Sequence, residues 1–218
     1  MKERILFDML SEESGTKKKP SPAPICTGKS EPLTIEALAE SVMECQRCNL
    51  RQNAANVVFG EGNPKAALMF VGEGPGAEED RLGLPFVGTA GQLLNKIMAA
   101  AEISRKEVYI ANIVKCRPPG NRLPQKDEVD ACFPHLSAQI NLINPKIIVC
   151  LGSLATQVLI DPKAKITKVR GCWHDYNGIR LMPTFHPAAL LRDPSKKRPV
   201  WEDIQLVRDA YRRLSKEG

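Results

Sequence analysis

Four cysteines have the side chains and the spacing best suited to chemistry in this chain of 218 residues. Cys45 and Cys48 form the pair C-Q-R-C, Cys116 follows in K-C-R-P-P, and Cys132 in D-A-C-F-P. Thiolates bind zinc or an iron–sulfur cluster in fours, and a close pair joined by two distant cysteines can converge on one centre. Such a centre would stitch an N-terminal segment to the middle of the fold. Scattered core cysteines are the plainer alternative, because free cysteine packs as a small apolar residue.

A second set of residues stands where apolar runs give way to polar punctuation. V-G-E-G-P-G-A-E-E-D (71–80) carries Glu73, Gly74 and Glu79, and L-P-F-V-G (84–88) carries Phe86. Asn112 lies inside V-Y-I-A-N-I-V, and His186 lies in F-H-P. Gly72, Gly74 and Ala77 fit a dinucleotide fingerprint. That site needs free backbone N–H groups at a helix start, whereas Pro75 removes one and Glu78, Glu79 and Asp80 crowd the spot with negative charge. A histidine or a phenylalanine alone is usually packing. An asparagine within a strand is less easily absorbed, because a buried amide must satisfy both donors and acceptor. Together, an amide, an imidazole and an aromatic ring make a site for a flat heterocycle with carbonyl and imide edges.

The elements that must position these residues alternate along the chain. Strands are expected at 66–73, 108–114, 146–152 and 179–187, each a short apolar run. Helices are expected from Thr34 as N-cap to about Cys45, over 91–101, over 126–143 with a break or kink at Pro134, after 152, and over 200–214. Strand and helix in alternation imply a parallel sheet covered on both faces, with ligands beyond the carboxyl ends of its strands. Residues 1–32 are expected to be a flexible extension, with a short amphipathic helix at 1–10 and a Pro-, Ser- and charge-rich linker after it. Residues 33–218 are expected to be the folded domain.

Net charge is +6 and is uneven: nine Lys or Arg but only two Asp fall between Lys163 and Arg198. Such a field favours a polyanion such as nucleic acid. No stretch approaches the roughly 20 apolar residues needed to span a bilayer. Seven cysteines, an odd number, argue against a disulfide framework and for a reducing, cytoplasmic setting.

C-Q-R-C, V-G-E-G-P-G, L-P-F-V-G-T-A-G, N-I-V-K-C-R-P-P, Cys132 and F-H-P-A-A-L-L-R together resemble the family-4, iron–sulfur uracil-DNA glycosylases over about residues 42 to 210. The resemblance implies an α/β fold, a three-layer α/β/α sandwich with a four-stranded parallel sheet. It implies a [4Fe–4S] cluster on Cys45, Cys48, Cys116 and Cys132. It makes Phe86 the ring on which flipped uracil stacks, Asn112 the reader of the O4 and N3 edge, and His186 the donor to O2. Glu73 and Gly74 would line the base, Glu79 would crowd out a thymine methyl, and Leu190 and Leu191 would fill the vacated stack. His186 and Glu73 are the candidate catalytic residues. The partner implied is uracil-containing DNA, single- or double-stranded, acted on by a monomer.

Four residues depart from the family pattern. Ala188 and Ala189 follow H-P where a serine is common, Ala77 stands in place of an acid, and Gly74 occupies the position where other branches carry an acidic water activator. The alternative function is non-catalytic: an iron–sulfur DNA-binding or polymerase-associated module of the same fold.

Overall fold

The computed structural model of the protein describes residues 34–217. The expectations for the extension 1–32 and its short helix lie outside the described residues. Strands β2 (Leu68–Gly72), β3 (Tyr109–Asn112), β4 (Ile147–Leu151) and β6 (Ile179–Thr184) form a parallel core in the order β3-β2-β4-β6. These are the four strands expected from the sequence. Two antiparallel edge strands extend the sheet to six: β1 (Glu61–Gly62) beside β3 and β5 (His174–Tyr176) beside β6.

Every residue of β2, β3 and β4 is buried, so successive side chains feed two separate apolar layers. Met69, Val71, Ile148 and Cys150 face one way, among side chains of α1 (Ile35–Met43), α5 (Lys126–Ile143) and α6 (Ser153–Leu159). Leu68, Phe70, Val149 and Leu151 face the other, among those of α4 (Thr89–Ala100), α8 (Pro187–Arg192) and α9 (Lys197–Glu217). The result is the three-layer sandwich. Short helices α2 (Leu50–Asn53), α3 (Ala77–Leu82) and α7 (Ile166–Val169) complete it.

Thr34 caps α1 as expected, its Oγ1 accepting from Ala37 N–H at 3.2 Å. Of the break or kink expected at Pro134, the break is absent, for α5 runs continuously through it. The carbonyl that loses its donor there belongs to Asp130, an exposed residue that water can satisfy. The hairpin β5–β6 turns at Asn177 and Gly178, both left-handed with φ of 53° and 84°. Asn-Gly flanked by apolar residues is a strong hairpin signal, here hidden because β5 is short and polar.

The sheet order reverses at β2. From β2 the chain moves to β3 on one side, then returns past β2 to β4 on the other. A crevice opens at such a switch point, outside the carboxyl ends of the strands.

Candidate active site

At the carboxyl ends of β2, β3 and β6 lies a cleft of about 590 Å³, within the usual range for small-ligand sites. Glu73, Gly74, Glu79, Phe86, Asn112 and His186, six residues scattered over more than a hundred positions, all line it.

Asn112 ends β3 opposite Gly72 of β2 and is 1% exposed. Its side-chain oxygen is buried and has no hydrogen-bond partner among the described residues. An unpaired buried acceptor costs roughly 1–3 kcal/mol, so this oxygen is suited to accept from a donor on a ligand in the cleft. Gly72 makes the arrangement possible: a Cβ there would lie 2.5 Å from Asn112 Oδ1 and 2.5 Å from Phe86 Cζ. The peptide of Asn112 is held from behind. Lys115, itself buried, donates through Nζ to the Asn112 carbonyl at 3.0 Å and to Gln139 Oε1 at 2.5 Å. Burial pulls the Lys115 ammonium down to about 8, against the opposing influence of Cys132.

Phe86 has φ of 52°, a left-handed conformation that a bulky side chain rarely adopts. Such strain, of the order of 1–3 kcal/mol, persists only where surroundings over-determine it. Here the loop is clamped on both sides. Arg105 donates to the carbonyls of Pro85 at 2.7 Å and Phe86 at 3.4 Å, and is itself anchored on Glu61 and Asn95. Glu79 accepts from the N–H groups of Val87 at 3.0 Å and Gly88 at 2.9 Å, and from Gly76 N–H at 3.2 Å. The visible work of Glu79 is therefore to fix the Phe86 loop. From α4, Gly91 lets the helix touch Phe86: a Cβ there would sit 2.0 Å from the Phe86 carbonyl carbon and oxygen. Gly91→Ala must displace this backbone, an overpacking cost of about 1–3 kcal/mol. The melting temperature is expected to fall by about 3–10 °C in a thermal melt. Whatever activity depends on the ring should fall with it.

His186 follows β6 and caps α8. Its Nδ1 accepts from Ala188 N–H at 3.2 Å, and its ring centroid is 5.5 Å from that of Phe86, tilted by 33°. Burial first, then the Arg192 charge, push the imidazole down to about 4, with Glu79 acting in the opposite sense. The ring is therefore neutral at physiological pH. With Nδ1 used as an acceptor, the proton sits on Nε2 and is available to a ligand. Burial raises the Glu73 carboxyl, and Arg192 partly offsets this.

The two leucines after H-P-A-A separate. Leu191 is 47% exposed, whereas Leu190 is 2% exposed and packs in the layer shared by α4 and α9. Leu190 is thus corrected from insertion residue to core residue. Helical geometry turns adjacent residues about 100° apart, and here Leu190 falls on the face packed against α4 and α9 while Leu191 does not. Arg105, Arg192, Lys115 and the 118–124 loop were missed by sequence reasoning. Their signal was too generic, because basic residues are common and a Pro-Gly-Asn run reads only as a turn.

On the other side of Lys115, Cys45, Cys48, Cys116 and Cys132 border one small cavity with His135, Leu50 and Val57. Cys116 and Cys132 are buried, and Cys45 and Cys48 half-buried. Burial pushes the Cys116 thiol up to about 12, and the neighbouring Cys132, Cys48 and Cys45 add to the shift, so the four sulfurs feel one another. Lys115 N–H points at Cys132 Sγ from 3.3 Å, and His135 Nε2 lies 3.2 Å from Cys45 Sγ. Among the described residues, no three donors are arranged to grip a single metal ion. The soft, all-sulfur set fits a larger thiolate-bound group. Cys150 is a core residue of β4, and Cys172 is exposed away from this cavity.

A type-4 uracil-DNA glycosylase of Thermotoga maritima is 48% identical over 84% of this chain and 96% of that protein. A type-4 uracil-DNA glycosylase of Sulfurisphaera tokodaii is 45% identical over 81% of this chain and 84% of that protein. A DNA polymerase of Bacillus phage SP01 is 35% identical over 68% of this chain but only 16% of the polymerase. Residues 59–205 match the uracil DNA glycosylase superfamily. That span contains the whole sheet and every residue lining the cleft, and by it the chain belongs to the uracil DNA glycosylase superfamily.

Proposed function

We infer that the chain is a monofunctional uracil-DNA glycosylase that extrudes uracil from DNA and hydrolyses its N-glycosidic bond. The observation that carries this reading is the orphaned Asn112 oxygen, buried in a cleft walled by the Phe86 and His186 rings. Uracil supplies what is missing. Its N3–H donates to Asn112 Oδ1, its O4 accepts from the Asn112 amide N–H, and its ring stacks on Phe86. Cytosine has no N3–H and presents an amino donor where O4 would be, which leaves buried groups mismatched.

Bond cleavage moves the glycosidic electron pair onto uracil N1 and, by resonance, onto O2, leaving an oxocarbenium-like sugar. His186 Nε2–H is the preorganised donor for that O2 charge. Its neutral form fits the task, since Nδ1 is fixed as an acceptor by Ala188. Glu73 has no hydrogen bond to its carboxylate among the described residues and lies in the same cleft, so it can orient the water that captures the sugar. Arg192 at the cleft and the basic C-terminal third supply charge for DNA phosphates. A uracil-containing oligonucleotide, treated with alkali after incubation, tests the reading. Strand cleavage at uracil supports it, and an intact strand refutes it. The match to a segment of a phage DNA polymerase is in line with the polymerase-associated alternative, which that same intact strand would support.

Cys45, Cys48, Cys116 and Cys132 are proposed to hold a [4Fe–4S] cluster. When bound, it would cross-link the α1–α2 segment to the loop after β3 and to α5. Cys116→Ser is expected to lose most iron and the broad visible absorption after anaerobic purification, because one of four ligands goes. Cys150→Ala should keep both, since that thiol lies in the sheet. Iron analysis and absorption spectra decide it. One zinc with no iron in the wild type would refute the cluster.

A further inference from the structure

We propose that Leu123 is a second apolar insertion side chain, entering double-stranded DNA at the extruded nucleotide from the 118–124 loop while Leu191 enters from α8. This rests on the glycosylase reading above. Leu123 is 67% exposed, the highest value among the exposed large apolar side chains of the described residues, and it borders the cleft that holds Asn112, Phe86 and His186.

A single exposed leucine is ordinary on a protein surface. This one is distinguished by how firmly its backbone is held. Gly120 and Asn121 turn the chain through the left-handed region, with φ of 61° and 56°. Arg117 Nε donates to Asn121 Oδ1 at 2.8 Å, and Pro118 and Pro124 are buried on either side. Arg122 donates to the carbonyl of Leu123 itself at 3.0 Å. The same guanidinium makes two bonds, of 2.8 and 2.6 Å, to the buried Glu128, which also accepts from Gln125 N–H at 2.7 Å. Bidentate pairing fixes direction as well as distance. The loop is ordered before any ligand arrives, so the entropy of ordering it is not lost on binding.

The chemistry of the surroundings selects the occupant. Arg192 lines the same cleft and the C-terminal third is basic, so the partner has an anionic rim. The exposed leucines call for an apolar interior behind that rim. Duplex DNA opened at one nucleotide offers both, with phosphates outside and unstacked base faces within. Leu190 is buried, so the α8 segment brings only one free leucine to that gap. Extrusion leaves two unstacked faces and an unpaired opposite base, and Leu123 covers what Leu191 leaves open.

The test compares single-turnover excision from a duplex carrying uracil opposite adenine with excision from the same strand alone. Leu123→Ala is expected to lower the duplex-to-single-strand rate ratio by about tenfold, equivalent to about 1.4 kcal/mol. Leu123→Phe, which keeps an apolar wedge, should hold the ratio within about twofold of wild type. An unchanged ratio in Leu123→Ala, with a wild-type melting temperature, overturns the proposal. Wild-type protein that excises uracil from neither substrate overturns the glycosylase reading instead.

Discussion

Asn112→Asp is expected to lose uracil excision by about 10²–10³-fold, the size of effect seen when one preorganised polar contact is removed from a reacting centre. The amide oxygen, which the substitution keeps, has no hydrogen-bond partner among the described residues. The Asp substitution keeps the size and exchanges the donor N–H for a carboxylate oxygen. Facing uracil O4, an ionised Asp is repelled. A site 1% exposed also raises the pKa of that carboxyl, because burial penalises the charged form. Facing the cytosine amino group, the same oxygen accepts a bond, so weak cytosine excision is expected to appear. The backbone contact from Lys115 reaches the Asn112 carbonyl and is untouched by the change, so the fold should persist. Single-turnover rates on uracil and cytosine substrates, with a thermal melt of the variant, decide it. Wild-type uracil excision on an intact fold would make Asn112 a mere core residue.

His186→Ala should lower the single-turnover rate by about 10²-fold while leaving DNA affinity nearly unchanged, because its bond strengthens only as charge forms on O2. A comparable loss of DNA affinity would argue for a packing role. The imidazole also leaves a mark on stability. Its folded pKa of about 4 lies below the ordinary 6.5. Between these values the unfolded chain binds more protons than the folded one, so this group's contribution is fully present above pH 6.5 and is lost as pH falls towards 4. Protonation would also put a second N–H at Nδ1, facing the Ala188 N–H it now accepts. The melting temperature of wild type should therefore fall more steeply than that of His186→Ala over this window. Parallel curves would place the ring in a more solvated setting than the cleft described here.

The sequence by itself determined the four core strands, because an unbroken apolar run such as L-M-F-V must be buried on both faces. It determined the ends of α1 and α5 through cap and periodicity. Residues set at strand ends and in the loops after them, together with the family resemblance, also picked out six of the residues that the cleft brings together. What it left open has one cause: contacts between segments far apart in the chain have no local signature. Nothing near Glu79 says that its carboxylate will hold the backbone of Val87 and Gly88, and nothing near Arg105 says that it will clamp Pro85 and Phe86. The motif A-A-L-L-R cannot show which leucine faces outward, since that depends on how α8 lies against α4 and α9. The left-handed Phe86 is likewise invisible in a run of letters. Only the close approach of Gly91 and the two clamps hold that residue in a conformation it would otherwise leave. Local propensity and pattern thus marked the elements and candidate residues, whereas long-range packing decided which of them meet, which way each points, what holds it there, and which of two neighbouring leucines is free to act.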